Sequence, residues 1–176
     1  MVFFMLYVSA ELDKLTDIQP EGGCDDPNFV YLFKLRCENC GELTQKETCV
    51  VLGETVPLTN GRGTANLVQK CKFCGREGTI QMIPGQGRPL SLETSQSGGS
   101  APLMLFECRG FEPVDYVFGD GWKAESTEGT KFNMDLSDGE FSEYDEKGEF
   151  PVEITNLRGT FKVVHKANHW GKTVYQ

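Results

Sequence analysis

A chain of 176 residues with 39% hydrophobic and 11% aromatic side chains can bury a genuine core, which excludes disorder and removes any need for metal merely to offset small size. Its net charge of −9 and pI near 4.8 exclude a basic footprint for a phosphate backbone, so nucleic acid is not an expected partner. No stretch approaches the ~20 apolar residues that a spanning helix requires, no basic region precedes the apolar run Val2–Val8 as a secretion signal would demand, and no membrane is expected as a partner.

In chain order, Val2-Phe3-Phe4-Met5-Leu6-Tyr7-Val8 is apolar at every position and rich in aromatic and β-branched residues, the pattern of a central strand covered on both faces. Leu12–Ile18 reads as extended. Gln19–Asn28, interrupted by Pro20, Gly22-Gly23 and Asp26-Pro27, is a loop in which Cys24 is expected as a surface thiol. Phe29–Arg36 is a strand that delivers Cys37 to Cys37-Glu38-Asn39-Cys40-Gly41. Gln45–Leu52 is another, with Cys49 expected as a small buried hydrophobe. Gly61-Arg62-Gly63 lacks the Gly-Lys-Ser/Thr ending of a phosphate loop, so Asn60-Gly61 is read as a hairpin turn. Ala65–Lys70 leads into Cys71-Lys72-Phe73-Cys74-Gly75, and Thr79–Ile83 leads away from it.

The two Cys-x-x-Cys-Gly stretches supply both halves of a four-thiolate tetrahedron with one punctuation. Each turn aims two sulfurs at a single ion, and the following glycine permits the positive φ that closes the knuckle. The expected cofactor is one structural Zn²⁺ held by Cys37, Cys40, Cys71 and Cys74. The gap from Gly41 to Lys70 exceeds that of a compact zinc ribbon and leaves room for strands of its own. Four thiolates and Zn²⁺ carry −2, which Lys34, Arg36, Lys70, Lys72 and Arg76 would offset. Cys24, Cys49 and Cys108 remain outside the site, and unpaired thiols point to a reducing compartment, cytoplasmic or also nuclear.

Pro84–Pro102 holds seven glycines and prolines and four serines, the composition of a flexible surface connection. Strand character resumes at Leu103–Gly110 and Phe111–Phe118, and the spacing of Leu105–Val117 echoes that of Leu6–Ile18. Trp122–Ala124, Thr130–Leu136, Val152–Asn156 and Gly159–Val164 are further short strands. Glu140, Glu143, Asp145 and Glu146 read as a solvated acidic loop. From His165 onward a flexible tail is expected, in which His165 and His169 would pair on a metal only if helical. The expected organisation is all-β: a zinc-bearing half at 1–83, the connection at 84–102, a second, related β half at 103–164 packed on the first as one unit, and the tail at 165–176.

Lys34–Glu42, Gly61-Arg62-Gly63 with Leu67–Cys74, Phe106–Asp115 and Tyr144-Asp145-Glu146-Lys147 resemble the eukaryotic CXXC-motif-containing zinc-binding protein family, over roughly residues 3 to 164. The resemblance implies an all-β fold of two related halves with zinc at Cys37, Cys40, Cys71 and Cys74, and it brings no established reaction.

A filled Cys₄ site cannot activate water, and the only two histidines lie in the tail. The reading is therefore a non-enzymatic zinc protein, monomeric, that works by binding another, unidentified protein. The enzyme alternative is a thiol-dependent oxidoreductase using Cys108, with Arg109 lowering its pKa. It competes with the inert buried thiol that an apolar strand suggests. A third reading is metal handling, since soft thiolates also suit Cu(I).

Overall fold

The computed structural model describes residues 1–176. Its strands are β1 (Val2–Asp13), β2 (Leu15–Pro20), β3 (Val30–Cys37), β4 (Thr48–Val51), β5 (Val56–Pro57), β6 (Thr64–Ala65), β7 (Leu67–Lys70), β8 (Glu77–Ile83), β9 (Ala101–Arg109), β10 (Phe111–Val117), β11 (Trp122–Ser126), β12 (Lys131–Met134), β13 (Phe141–Asp145), β14 (Phe150–Val164), β15 (Lys166–His169) and β16 (Lys172–Tyr175). One short helix, α1 (Leu92–Gln96), interrupts them. The all-β expectation holds, and no helix is long and apolar enough to cross a membrane.

A run that is apolar at every position must be covered on both faces, and β1 is. It lies inside a six-stranded antiparallel sheet of order β13-β14-β1-β9-β8-β7. Phe4, Leu6 and Val8 enter the main core on one face, while Met5 packs with Leu105 and Val164 on the other. Two three-stranded sheets, β10-β3-β4 and β12-β11-β2, and the small β5-β6 pair complete the body. An aromatic chain fills the space between: Phe29 stands edge-on to Tyr31 and Trp122, and Phe106 edge-on to Phe33 and Phe161.

Reading outward from the β1–β9 pair, one flank is β14 then β13 and the other is β8 then β7. The small sheets match in the same way, β10 beside β3 and β4, β2 beside β11 and β12. Exchanging β1, β2, β3, β4, β7 and β8 for β9 to β14 reproduces the topology, so the fold consists of two related halves. They are interleaved. β1 and β2 pair with β14 and β11 of the second half, and β9 and β10 pair with β8 and β3 of the first. Each second strand even carries the same bulge with an aspartate at positive φ, Asp17 (60°) and Asp115 (52°).

Segments that composition marked as loose are tied down. Leu90 is 1% exposed and exchanges two 3.0 Å backbone hydrogen bonds with Ile18, closing the free edge of β2. The serines that read as flexible are engaged: Ser91 caps α1, its Oγ accepting from Thr94 N, and Ser95 within the helix donates its Oγ to Ala10 O at 2.7 Å. The tail is not frayed but forms the β15–β16 hairpin, seated by Tyr175 against Phe3 with ring centroids 5.2 Å apart. Two cysteines exchange their expected places. Cys24 is buried in the loop that Tyr31 anchors by donating its hydroxyl to the Cys24 carbonyl at 2.9 Å, whereas Cys49 is exposed on the edge strand β4.

Candidate metal centre

Each Cys-x-x-Cys-Gly stretch closes a hairpin in the same way. Cys37 N donates to Glu42 O at 2.9 Å and Cys71 N to Arg76 O at 2.8 Å, while Gly41 N and Gly75 N each return to the first cysteine's carbonyl at 2.9 Å. Gly41 and Gly75 lie at φ of 79° and 76°, a left-handed conformation that residues with a side chain rarely adopt. The first turn extends β3, held in register by β10 through Cys37 opposite Phe111; the second joins β7 to β8. Glu38 N donates to Gly110 O at 3.0 Å, so the bend between β9 and β10, which belongs to the other half, is the floor of the site. Gly78 of β8 lies so close to that bend that a Cβ there would meet the Phe111 ring and stand 2.6 Å from Arg109 O.

The two turns bring the four sulfurs together. Cys37 Sγ lies 3.7 Å from Cys74 Sγ, Cys40 Sγ lies 3.6 Å from Cys71 Sγ, and all four are within 4.8 Å of one another. The edge of a tetrahedron with Zn–S bonds of ~2.3 Å is about 3.8 Å, so these residues fit a zinc ion. Cys37 and Cys71 are buried, and Cys40 and Cys74 face outward. The local dipoles favour thiolates at the second pair. The Asn39 side chain and the Arg76 N–H bring Cys74 down to about 6, and the N–H groups of Cys74 and Phe73 lower Cys71. At Cys40 the Glu42 N–H also lowers the thiol, but desolvation and hydrogen bonds shared with the other three sulfurs outweigh it and push it up to about 12. A divalent cation is what would let all four sulfurs ionise together.

Of the expected counter-charges, Arg76 reaches the site, donating to Asn39 Oδ1 at 3.1 Å, while Arg36 is turned away to Glu112 at 3.1 Å. Asn39 was not legible as a site residue, because it occupies an x position of Cys-x-x-Cys. Cys108 is fully buried, and burial followed by the charges of Glu38 and Glu107 pushes its thiol up, opposite to what a reactive thiolate needs. Arg109 points to Glu107 and Met1 rather than to that thiol.

The second half repeats both turns without sulfur. Ser126 N donates to Thr130 O at 2.8 Å where Cys37 N donates to Glu42 O, and Asp145 faces Phe150 across a turn as long as that from Cys71 to Arg76. Glu149 sits at φ 57° where Gly75 sits at 76°. Between these turns Asp145 accepts from Ser126 Oγ and Thr130 Oγ1, each at 2.6 Å, and from Lys147 N at 3.1 Å. Those hydroxyl bonds, first from Ser126 and then from Thr130, hold its carboxyl below the usual carboxylate range. Asp145 is 0% exposed, which overturns its reading as part of a solvated loop; Glu143 and Glu146 are exposed, and Glu140 sits in the turn before β13.

The profile described as "CXXC motif containing zinc binding protein, eukaryotic" matches residues 5–162. The chain is 37% identical to a CXXC motif containing zinc binding protein of Xenopus laevis, covering 92% of this chain and 98% of that one, and 35% identical to one of Homo sapiens, covering 92% and 94%. Its fold is similar to the crystal structure of C1orf123, with a TM-score of 0.81 at 34% identity over 92% of this chain and 99% of that one. A hypothetical protein from Plasmodium falciparum has the same fold, with a TM-score of 0.77 at 22% identity over 92% and 100%.

Proposed function

The chain belongs to the eukaryotic family of CXXC motif containing zinc binding proteins, and on that premise we propose that Cys37, Cys40, Cys71 and Cys74 hold one zinc ion as a structural staple in a non-enzymatic module that binds another protein. The carrying observation is the sulfur geometry: four soft donors at tetrahedral spacing would fill the coordination sphere of Zn²⁺ and leave no position for water or substrate. When bound, zinc supplies a charge and four bonds that join two hairpins. The protein's own residues orient it, through the Asn39 and backbone N–H groups aimed at the sulfurs and the Gly110 bend beneath them. Cys24, Cys49 and Cys108, outside the site and without disulfides, support a reducing, cytoplasmic or nuclear setting.

Protein binding draws support from the rim of the site. Phe73, at the tip of the second knuckle, is 64% exposed and stands at a groove of about 400 Å³ whose lining includes Leu43, Lys46, Lys70 and Phe111. An exposed aromatic over a groove is a common interface anchor. The test has two arms. Chelation of the zinc-loaded chain should lower its thermal transition, and an unchanged transition would refute the structural role. Affinity capture with wild type, Cys37→Ser and Phe73→Ala should give a specific protein that both variants lose. A specific protein retained equally by all three would remove the knuckle from the interface, and capture of none would refute the binding reading.

A further inference from the structure

The β15–β16 hairpin lies beyond the residues matched by the family profile, and its turn has an unusual composition. His169 pairs with Lys172, leaving Trp170 and Gly171 as the two turn residues, at φ of 54° and 77°. Two left-handed residues make this a turn that suits Asn-Gly; a bulky indole there is strained. Trp170 gains no burial in return, since it is 102% exposed, whereas Trp122, the other tryptophan, is 0% exposed. The chain thus holds an indole in solvent at a conformational cost that nothing inside the molecule offsets.

Charge singles out the same place. Residues 1–153 carry thirteen Lys and Arg against twenty-six Asp and Glu, while residues 154–176 carry four Lys and Arg and no acid. Lys162, Lys166 and Lys172, with His165 and His169, are all exposed on or beside the hairpin. Val163, 51% exposed, lies three residues before it on β14. An acidic body thus ends in an acid-free stretch, the close of β14 with Arg158 and Lys162 and then a hairpin with Lys166 and Lys172 whose tip is a tryptophan.

We propose that this hairpin is an interfacial finger that docks on an anionic lipid surface, Trp170 entering the headgroup region and Lys166 and Lys172 meeting the lipid charges. Tryptophan is the side chain that favours the boundary between water and acyl chains, and lysines beside it contribute attraction to acidic headgroups. A nucleic acid would also attract cations and stack an indole, but the boundary between water and acyl chains is where an indole flanked by lysines is favoured, and a poly(U) comparison separates the two. Such docking needs no spanning segment, and so revises the expectation from the sequence that no membrane is a partner.

Because Trp122 is sequestered, the change in tryptophan emission on adding vesicles reports on Trp170. The zinc-loaded full chain is titrated with vesicles of phosphatidylcholine alone and of phosphatidylcholine with phosphatidylserine, with emission and co-sedimentation as readouts. The expected result is a blue shift and sedimentation with the phosphatidylserine vesicles only, weakened by salt. Trp170→Asn, which suits the turn better, and Lys166→Glu/Lys172→Glu should each weaken partitioning by at least about tenfold. Absence of sedimentation, equal binding to neutral vesicles, equal partitioning by Trp170→Asn, or an emission change with poly(U) and not with vesicles would each overturn the proposal.

Discussion

Two hairpin turns meet in each half of this protein, and the halves fasten them differently. In the first, four sulfurs lie within 4.8 Å of one another at the meeting point; in the second, one carboxylate accepts two 2.6 Å bonds from Ser126 and Thr130. The proposed metal version would tolerate water at the outward-facing Cys40 and Cys74, because metal–thiolate bonds do not depend on exclusion of solvent. The carboxylate version works only when dry: hydrogen bonds to an exposed Asp would be traded for water at little gain, and Asp145 is fully buried. On the proposed reading, a duplicated fold would close one junction with coordination and its counterpart with a buried ion acting through short hydrogen bonds.

The largest effect should come from removing the metal. A structural zinc contributes on the order of 10 kcal/mol, against a domain stability of about 5–15. Chelation, or Cys71→Ser, should therefore lower the thermal transition by tens of degrees in calorimetry, the first junction loosening while the second stays folded. Asp145→Ala should come next, lowering the transition by several degrees with zinc still bound, because it strands two hydroxyls and the Lys147 N–H. If Asp145→Ala proved as damaging as zinc loss, the contrast between the two junctions would vanish.

The acid limb sharpens the contrast. The folded Asp145 carboxyl lies below its unfolded value near 3.9, so the folded state binds fewer protons and is favoured above that pH. This contribution is fully present at neutral pH and is lost as pH falls from about 4 through the lower, folded value. Asp145→Asn should be less stable than wild type at neutral pH, with the difference shrinking toward acid in urea titrations performed at each pH. A difference that stays constant would remove the ionised carboxylate from the account.

Two smaller effects probe each junction's surroundings. Gly78→Ala forces a methyl against Phe111 and Arg109 O beneath the sulfurs and should cost about 1–3 kcal/mol by denaturant unfolding. Ser126→Ala removes one donor from Asp145 and the acceptor for Glu128 N and Thr130 N, at about 1–2 kcal/mol. Equal sensitivity to both in the zinc-free chain would contradict the assignment of Gly78 to the metal junction.

The sulfur junction was legible in the sequence because coordination demands its ligands in local pairs, so the chemistry leaves a spacing behind. The carboxylate junction left none. Asp145 sits among Glu143, Glu146 and other acids, and its partners Ser126 and Thr130 are 19 and 15 residues away, so only tertiary packing separates it from its solvated neighbours. The same reason reversed Cys24 and Cys49: a loop cysteine is drawn inside by the Tyr31 bond, and a strand cysteine is left on an edge. The echo of Leu6–Ile18 in Leu105–Val117 was a real trace of β1–β2 and β9–β10, but the interleaving that makes each half complete the other lies in strand pairing, which local pattern does not encode.

The most direct measurement is amide hydrogen exchange across the full chain, zinc-loaded and after chelation. Protection should collapse over residues 30–83 and 101–117, the strands that carry or floor the sulfur junction, while residues 122–126 and 141–155 around Asp145 keep theirs. Unchanged protection at 30–83, or a loss centred on 122–155, would contradict a zinc staple confined to the first of two independently fastened junctions.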